Sequence, residues 1–404
     1  MSEPAKELDN QRRVSPEKSI GRQDWSTWPT YERADLGLRN FWYPLTWSKD
    51  VGSKPKSVKI LGETVMLIRD GGVVAALSDR CPHRGVPLSL GTQEFPGTIT
   101  CPYHGWTYGL DDGVLKAAIT DGPDSPLCGR VAVKKYPTEE RLGLIWIFVG
   151  DDENPVPPVE VDIPDELLQH ATTIGGRIYP GRDGNWRYAA ENGFDEGHAK
   201  FLHRNSVWAG FRQLPVWNET KVVRTNDDVW VTRKQEAVHW EADFPGLGTW
   251  SQAAWWKLSK TAARPEQDRR VDPTIASLKL PSKASVRLPY ILRIAYPMYI
   301  HYEWAVPEDE NRHRYVQLLV SFKQGIGKQV FKLKYLTFIR WAFHGQFTGQ
   351  DAWMVDVMDC PPERLYRPDK SVIEFRRLVE KQNREAGYVP SPVEDAPSAR
   401  VSES

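Results

Sequence analysis

Two short pairs of metal-binding side chains constrain this chain more than anything in its composition: Cys81-Pro82-His83 and, after seventeen intervening residues, Cys101-Pro102-Tyr103-His104-Gly105-Trp106. Each pair mixes one thiol with one imidazole, whereas a zinc finger places both cysteines before both histidines. Pro82 and Pro102 fix the backbone beside the donors, and Gly85 and Gly105 permit the tight turns by which two loops close over a shared centre. Trp106, Tyr103 and Arg84 are expected to form the packing and hydrogen-bonding shell around it.

Two thiolates on one iron and two neutral imidazoles on the other make the ligation of a Rieske [2Fe-2S] centre, and the histidines raise its reduction potential above that of an all-cysteine cluster. A structural zinc is the competing reading of a Cys₂His₂ set, and the mixed pairs argue against it. The chain is therefore expected to carry electrons.

A chain of 404 residues exceeds one typical core and suggests two domains, the first a unit of about 110 residues around the cluster. Short β-like runs at Val73–Leu77, Val131–Tyr136 and Leu144–Val149, punctuated by Gly and Asp-Gly, predict an all-β domain over 38–150. Residues 151–164 hold four prolines and five acids and read as a linker. Residues 165–389 then form the second domain. It has a helical stretch at Trp186–His203 and strands at Val229–Arg233, Tyr290–Tyr296, Tyr302–Val306 and Tyr315–Phe322. Helices follow at Lys328–His344 and Val372–Gly387. Strands followed by helices indicate an α+β rather than a doubly wound domain. The N-terminal segment 1–37, loose as far as residue 30, and the tail 390–404 lack periodicity.

Lys plus Arg and Asp plus Glu each total 53, so no net field favours nucleic acid or an acidic membrane. No stretch approaches the ~20 apolar residues of a membrane span, and the polar start is neither a signal peptide nor an anchor. Four cysteines occur. Cys128 and Cys360 are left as lone thiols of a reducing cytoplasm. No G-x-G-x-x-G opens a helix after a strand, so electrons are expected from another protein.

A second constellation lies in Glu191-Asn-Gly-Phe-Asp195-Glu-Gly-His198-Ala-Lys-Phe-Leu-His203. Asp195 and His198 share a helix face. His198 and His203 stand about 140° apart on a regular helix, so both reach one ion only if the helix breaks or bulges, and Gly193 and Gly197 supply that freedom. Two histidines need a carboxylate to complete the 2-His-1-carboxylate triad of non-haem Fe(II). Asp351, on a largely apolar face beside Met354 and Val355, is the first candidate and Asp356 the reserve. His170, His239, His301, His313 and His344 show no ligand spacing. Trp250, Trp255, Trp256, Leu288 and Ile291 fall where an apolar pocket is possible, core packing being the better reading of each one singly.

Both constellations together resemble the oxygenase (α) components of Rieske non-haem iron oxygenases, the ring-hydroxylating family, over about residues 36–385. Leu38–Pro44, Ile60–Glu63, Glu191–Asp195 and Val306–Asn311 are most similar to the carbazole 1,9a-dioxygenase terminal-oxygenase group. That group has one residue fewer between its iron histidines and an asparagine where this chain has Thr348. The resemblance implies a helix-grip catalytic domain with an antiparallel sheet. It also implies cluster ligands Cys81, His83, Cys101 and His104, iron ligands His198, His203 and Asp351, and Asp195 as the catalytic bridge between the centres. It further implies a homotrimer supplied with electrons from NAD(P)H through a reductase and ferredoxin. The reaction expected is O₂-dependent hydroxylation of an apolar aromatic or heteroaromatic substrate to a cis- or angular diol. Oxidative N- or O-dealkylation is the alternative, and a pure electron carrier would need only the first 150 residues.

Overall fold

Turns with positive φ at both central residues cut the first half of the chain into hairpins, since such turns match the twist of paired strands. Gly71 and Gly72, Leu61 and Gly62, and Leu142 and Gly143 all adopt them. The computed structural model describes residues 25–151, 154–195, 197–210, 220–224, 230–235, 243–244, 248–249, 271–278, 284–358 and 363–384. Its first nine strands are β1 (Phe41–Trp47), β2 (Lys56–Ile60), β3 (Glu63–Asp70), β4 (Val73–Ser78), β5 (Thr98–Thr100), β6 (Trp106–Gly109), β7 (Leu115–Ala118), β8 (Thr138–Arg141) and β9 (Leu144–Val149). They form three antiparallel sheets, β1-β9-β8, β2-β3-β4 and β5-β6-β7.

Two of the expected strands, β4 and β9, are present. Val131–Tyr136 makes only isolated bridges, Ala132 with Val114 and Lys135 with Leu77. The physical reason is that this segment crosses between two sheets: Val133 N–H bonds to Gly113 O, while Tyr136 N–H bonds to Ala76 O. It staples them and extends neither.

The second half is built on one antiparallel sheet ordered β10-β18-β17-β16-β15-β12-β11. Its strands are β10 (Thr173–Asp183), β11 (Thr220–Arg224), β12 (Val231–Gln235), β15 (Ala284–Arg287), β16 (Ile291–Ala295), β17 (Ile300–Asp309) and β18 (Arg312–Ser321); a two-residue pair, β13 (Asp243–Phe244) and β14 (Gly248–Thr249), lies apart. The main helices are α1 (Trp186–Phe194), α2 (Gly197–Phe201), α3 (Gly325–Lys334), α4 (Thr348–Val357) and α5 (Lys370–Gln382). A π-helical segment, Tyr335–Phe347, joins α3 to α4. The expected helix over Lys328–His344 is thus α-helical only in its first part. α1 begins at Asn185, whose side chain accepts the Arg187 N–H. α5 buries Val372, Phe375, Leu378 and Val379, the apolar spacing of an amphipathic helix.

One apolar core runs from β1 and β9 into the seven-stranded sheet, with Trp146 edge-on to Trp304 at 5.8 Å. The Leu61-Gly62 turn donates both N–H groups to Pro307 O and Glu308 O of β17. A smaller core with Met66, Leu88, Ile99 and Leu115 surrounds the two cysteines. Within the acidic, proline-rich connector Asp162 is fully buried, accepting Trp42 N–H at 2.9 Å and both guanidinium ends of Arg384. The N-terminal stretch is anchored earlier than its composition suggests. Trp25 is buried with the Arg187 guanidinium over its ring at 4.1 Å, because Trp25 fills a gap beside Tyr31 and Tyr188.

Candidate metal centres

The two cysteine–histidine loops are built alike. Cys81 N–H bonds to Val86 O and Gly85 N–H to Cys81 O; in the same offsets Cys101 N–H bonds to Trp106 O and Gly105 N–H to Cys101 O. Gly85 and Gly105 have φ of +73° and +67°, and a Cβ on Gly105 would stand 2.9 Å from Ile119 Cβ, so glycine is required there. Cys81 and Cys101 are buried, while the rings of His83 and His104 lie 4.5 Å apart nearer the surface. Trp106 stacks on His83 at 4.8 Å and 9°, and Tyr103 covers His104 at 3.8 Å. Arg84 is exposed. Tyr108, which the motif did not single out, places its hydroxyl 3.3 Å from Cys81 Sγ; a hydrogen bond to a ligand sulfur is a lever on cluster potential.

His198 and His203, their rings 5.4 Å apart, meet because the regular helix ends between them, as their phase demanded. α1 ends at Phe194, α2 starts at Gly197, and after Phe201 the chain tightens into a 3₁₀ turn, Leu202–Asn205. Asp195 holds the junction: its carboxylate accepts Gly197 N–H at 2.8 Å and His198 N–H at 2.9 Å, as an N-cap does. Asp351 arrives from the first turn of α4. Among the described residues, His198, His203 and Asp351 are the one group whose donor atoms all lie within 4.8 Å of one another. Asp351 Oδ1 is 3.3 Å from His198 Nε2 and 3.1 Å from His203 Nε2. Donors ~2.0–2.2 Å from one ion and at right angles stand about 3 Å apart, so the spacing suits a single octahedral ion. The reserve candidate Asp356 lies on the outer face in an ion pair with Arg182.

Both imidazoles are oriented by a second partner. His198 Nδ1 faces Asp195 Oδ2 at 3.2 Å and His203 Nδ1 faces Gln350 Oε1 at 2.9 Å. Both partners are acceptors, so each Nδ1 carries a hydrogen and each Nε2, the atom left for a metal, faces Asp351. Asn192 donates to Asp351 Oδ1 at 3.3 Å and Phe347 stacks on His203 at 3.8 Å. Burial alone would lower the His198 pKa, but Asp195 and Asp351 outweigh it and hold it at about 9 in the metal-free chain. Burial alone would raise Asp351, yet His203 and His198 pull it far below the usual carboxylate range. Asp195 is likewise pushed up by burial and brought below its ordinary value by His198 and the two N–H groups. Such a charge arrangement is discharged when a cation replaces the shared proton.

A cavity of about 60 Å³ opens beside the triad. Leu292, Ile294, Phe343 and Phe347 form its apolar walls, and Arg233, His301, Glu303 and Thr348 add polar groups. Leu288 and Ile291 belong instead to the core; Trp250, Trp255 and Trp256 lie outside the described residues, as does Cys360. Sequence spacing gave His301 and Glu303 no role, although the alternation His301, Glu303 against Ile300, Tyr302, Trp304 in β17 marks a polar face. A larger cavity of about 780 Å³ lies away from the triad, lined by Trp47, Lys56, Arg177 and Arg340 among others.

Comparison with known proteins matches both halves of the chain. Residues 41–137 match the family described as Rieske [2Fe-2S] domain, and residues 148–386 the family described as homotrimeric ring hydroxylase. The chain is 33% identical over 396 residues to the terminal oxygenase component of carbazole 1,9a-dioxygenase from a Sphingomonas species, covering 92% of this chain and 98% of that protein. It is 26% identical over 377 residues to the oxygenase component of chloroacetanilide N-alkylformylase from Rhizorhabdus wittichii, covering 87% and 97%. Among solved structures, the reduced complex between oxygenase and ferredoxin in carbazole 1,9a-dioxygenase is similar at 28% identity with a TM-score of 0.73, covering 89% of this chain and 93% of that one.

Proposed function

The chain belongs to the homotrimeric ring hydroxylases, oxygenases with a Rieske [2Fe-2S] domain, and from that premise we propose that it is the terminal oxygenase of a multicomponent system oxidising an aromatic or heteroaromatic compound. Cys81, His83, Cys101 and His104 hold the [2Fe-2S] cluster, and His198, His203 and Asp351 hold Fe(II). Residues 38–150 and 165–389 serve as the two domains, with 151–164 between them. When bound, the mononuclear iron activates O₂ and the cluster supplies electrons to it. The observation that carries this reading is the convergence of two Nε2 atoms and one carboxylate oxygen, each histidine fixed by its own acceptor.

Asp195 orients the His198 ring, caps α2 and keeps a negative charge beside the donor set, so it is a positioning residue between the centres. Phe347 and the apolar walls keep water from His203, while His198 and Asp351 stay partly accessible. The ferredoxin complex of the similar carbazole enzyme supports a ferredoxin as electron donor, with NAD(P)H and a reductase behind it. A homotrimer and a cytoplasmic location follow from the same reading; no helix among the described residues is long and apolar enough to cross a membrane. Similarity to an N-alkylformylase supports oxidative dealkylation as the second outcome.

The test counts metals and electrons. Three irons per chain are expected against two for an electron carrier. Asp195→Asn is expected to keep both centres while single-turnover reoxidation of the reduced cluster with substrate and O₂ slows at least tenfold. Reoxidation at the wild-type rate removes Asp195 from the path. Two labelled oxygens in the product under ¹⁸O₂ identify dihydroxylation, and one identifies monooxygenation.

A further inference from the structure

We propose that the wide cleft between the two domains is a second ligand site and takes an aromatic carboxylate: its apolar walls receive the ring and a rim of unpaired cations receives the charge. The cleft shares no lining residue with the triad cavity, so it is a separate site whichever oxidation the iron carries out.

The cleft holds about 780 Å³, within the size range of small-molecule sites. The end of β1, the turn after it and the start of β2 form one wall, through Trp47, Lys49 and Lys56; α3 and the π-helical segment form the other, through Lys332, Tyr335 and Arg340. Between them runs β10, the edge strand of its sheet, whose outer row of N–H groups no strand pairs. Two successive glycines let aromatic rings close on both faces of that strand. A Cβ on Gly176 would stand 2.8 Å from Trp47 Cη2, and one on Gly175 would stand 2.5 Å from Tyr335 Cδ2. Ile174, Ile178 and Leu336 extend the apolar surface that these rings begin.

Charge decides the class of ligand. Lys49, Lys56, Arg177, Lys332 and Arg340 line the cleft, against the single carboxylate of Asp50. A sixth cation, Arg314, is already closed by Glu308 Oε1 at 2.7 Å and Leu45 O at 2.6 Å. The other five form no ion pair among the described residues, and the Arg177 guanidinium lies over the Tyr179 ring at 3.9 Å. Arg177 and Arg340 share one neighbourhood. Burial raises the Tyr335 pKa while both guanidiniums pull it back, and both, after burial and His301, lower that of His344. Like charges so placed, with no anion between them, favour an anionic ligand, and the planar forks of arginine suit a carboxylate. The apolar walls then prefer a ring-bearing carboxylate to inorganic phosphate, which has no apolar surface to bury. The Tyr335 hydroxyl pairs with His344 Nδ1 at 2.8 Å, so a ligand resting on Tyr335 touches the segment that leads to Asp351 without entering the triad cavity.

The experiment is calorimetric titration of the assembled, iron-loaded protein at low and high salt, with iron content recorded for each sample. The probes are naphthalene-2-carboxylate, 2-naphthylmethanol, 2-naphthylmethylammonium, inorganic phosphate and triglutamate. Wild type is expected to bind one naphthalene-2-carboxylate per chain, at least about 10-fold more tightly than any other probe, the scale of one hydrogen bond to a charged group, and less tightly as salt rises. Arg177→Gln and Arg340→Gln should each weaken that binding about fivefold or more. Lys56→Gln combined with Lys332→Gln, two exposed positions on facing walls, should weaken it about threefold or more and keeps the question open if an arginine variant does not fold. No saturable binding, equal affinity for the alcohol, tighter binding of phosphate or of the acidic peptide, or an unchanged affinity in the folded variants overturns the proposal. An iron count of two per chain, by contrast, removes the oxygenase reading and leaves the binding result standing.

Discussion

Gly193 is the residue at which packing and site geometry meet, and its replacement by alanine yields a quantitative expectation. It is the penultimate residue of α1, so propensity favours alanine by at most the ~1 kcal/mol of a helix interior. The surroundings oppose that gain. A Cβ there would stand 2.2 Å from the Tyr290 hydroxyl oxygen and 3.2 Å from both Glu303 Oε1 and Leu292 Cδ2. Tyr290 has no room to withdraw: it is 1% exposed and edge-packed on Phe375 at 5.6 Å. Overpacking of this kind costs about 1–3 kcal/mol, which leaves Gly193→Ala net destabilised by about 1 kcal/mol. The larger effect falls on the site, because α1 must shift and it carries Asn192, which holds Asp351, and leads into Asp195. A displacement near 1 Å is enough to lower turnover by about 10²-fold. Tyr290→Phe is the matched rescue. The hydroxyl it removes is buried with no hydrogen-bond partner among the described residues, so the single change should be neutral or stabilising by up to about 1 kcal/mol. Denaturant unfolding and mononuclear iron content of wild type, both single variants and the double variant close a thermodynamic cycle, with a favourable coupling of about 1 kcal/mol or more expected. A Gly193→Ala protein with wild-type stability and iron content, or a double variant no better than Gly193→Ala, refutes the reasoning.

Three further outcomes are expected. Asp351→Ala should lose the mononuclear iron while the cluster spectrum persists, and Asp356→Ala should keep both, measured by iron analysis; the reverse result moves the ligand to Asp356. His104→Cys should retain a cluster with a lower midpoint potential by protein-film voltammetry, since a charged thiolate replaces a neutral imidazole, and an unchanged potential excludes His104 as a ligand. His313 is fully buried, and burial pushes its pKa down to about 4, so between about pH 6.5 and 4 the unfolded chain binds the extra proton. Stability should therefore fall with pH across that window, by up to about 3 kcal/mol from this group at ~1.4 kcal/mol per unit, and His313→Gln should flatten the slope in urea titrations at each pH.

How much of this was legible in the sequence depended on how local the physics was. The Cys81 and Cys101 loops are short, and their prolines and glycines specify a turn almost without context, so the ligand pattern could be read directly. The phase conflict between His198 and His203 was also visible, and it implied the departure from the regular helix that the structure has after Phe201. Val131–Tyr136 misled because alternating apolar residues describe an extended chain equally well whether it joins one ladder or staples two sheets. His301 and Glu303 were passed over for a related reason. On a strand, a polar face signals solvent or a site, and only the partner across the sheet, Gln317, and the helix above it decide which.

The π-helical segment had no signature of its own in the sequence, yet it governs where Asp351 ends up. Tyr335–Phe347 lies between α3 and α4, and each i→i+5 hydrogen bond changes the rotation delivered to every residue downstream. Side chains hold the segment in this form: the Tyr179 hydroxyl donates to His344 O at 2.9 Å, and the Tyr335 hydroxyl pairs with His344 Nδ1 at 2.8 Å. On the other side of the triad, the histidines depend on a second departure from the regular helix, the end of α2 at Phe201 and the 3₁₀ turn Leu202–Asn205 that carries His203. Regular helices on both sides would carry His203 away from His198 and turn Asp351 along with Phe347 and Thr348 out of register with them. The donor set is therefore assembled by two local distortions whose hydrogen bonds are poorer than those of an α-helix, and the packing of Phe343 and Ile339 against Trp208 and Tyr296 supplies what the backbone forgoes.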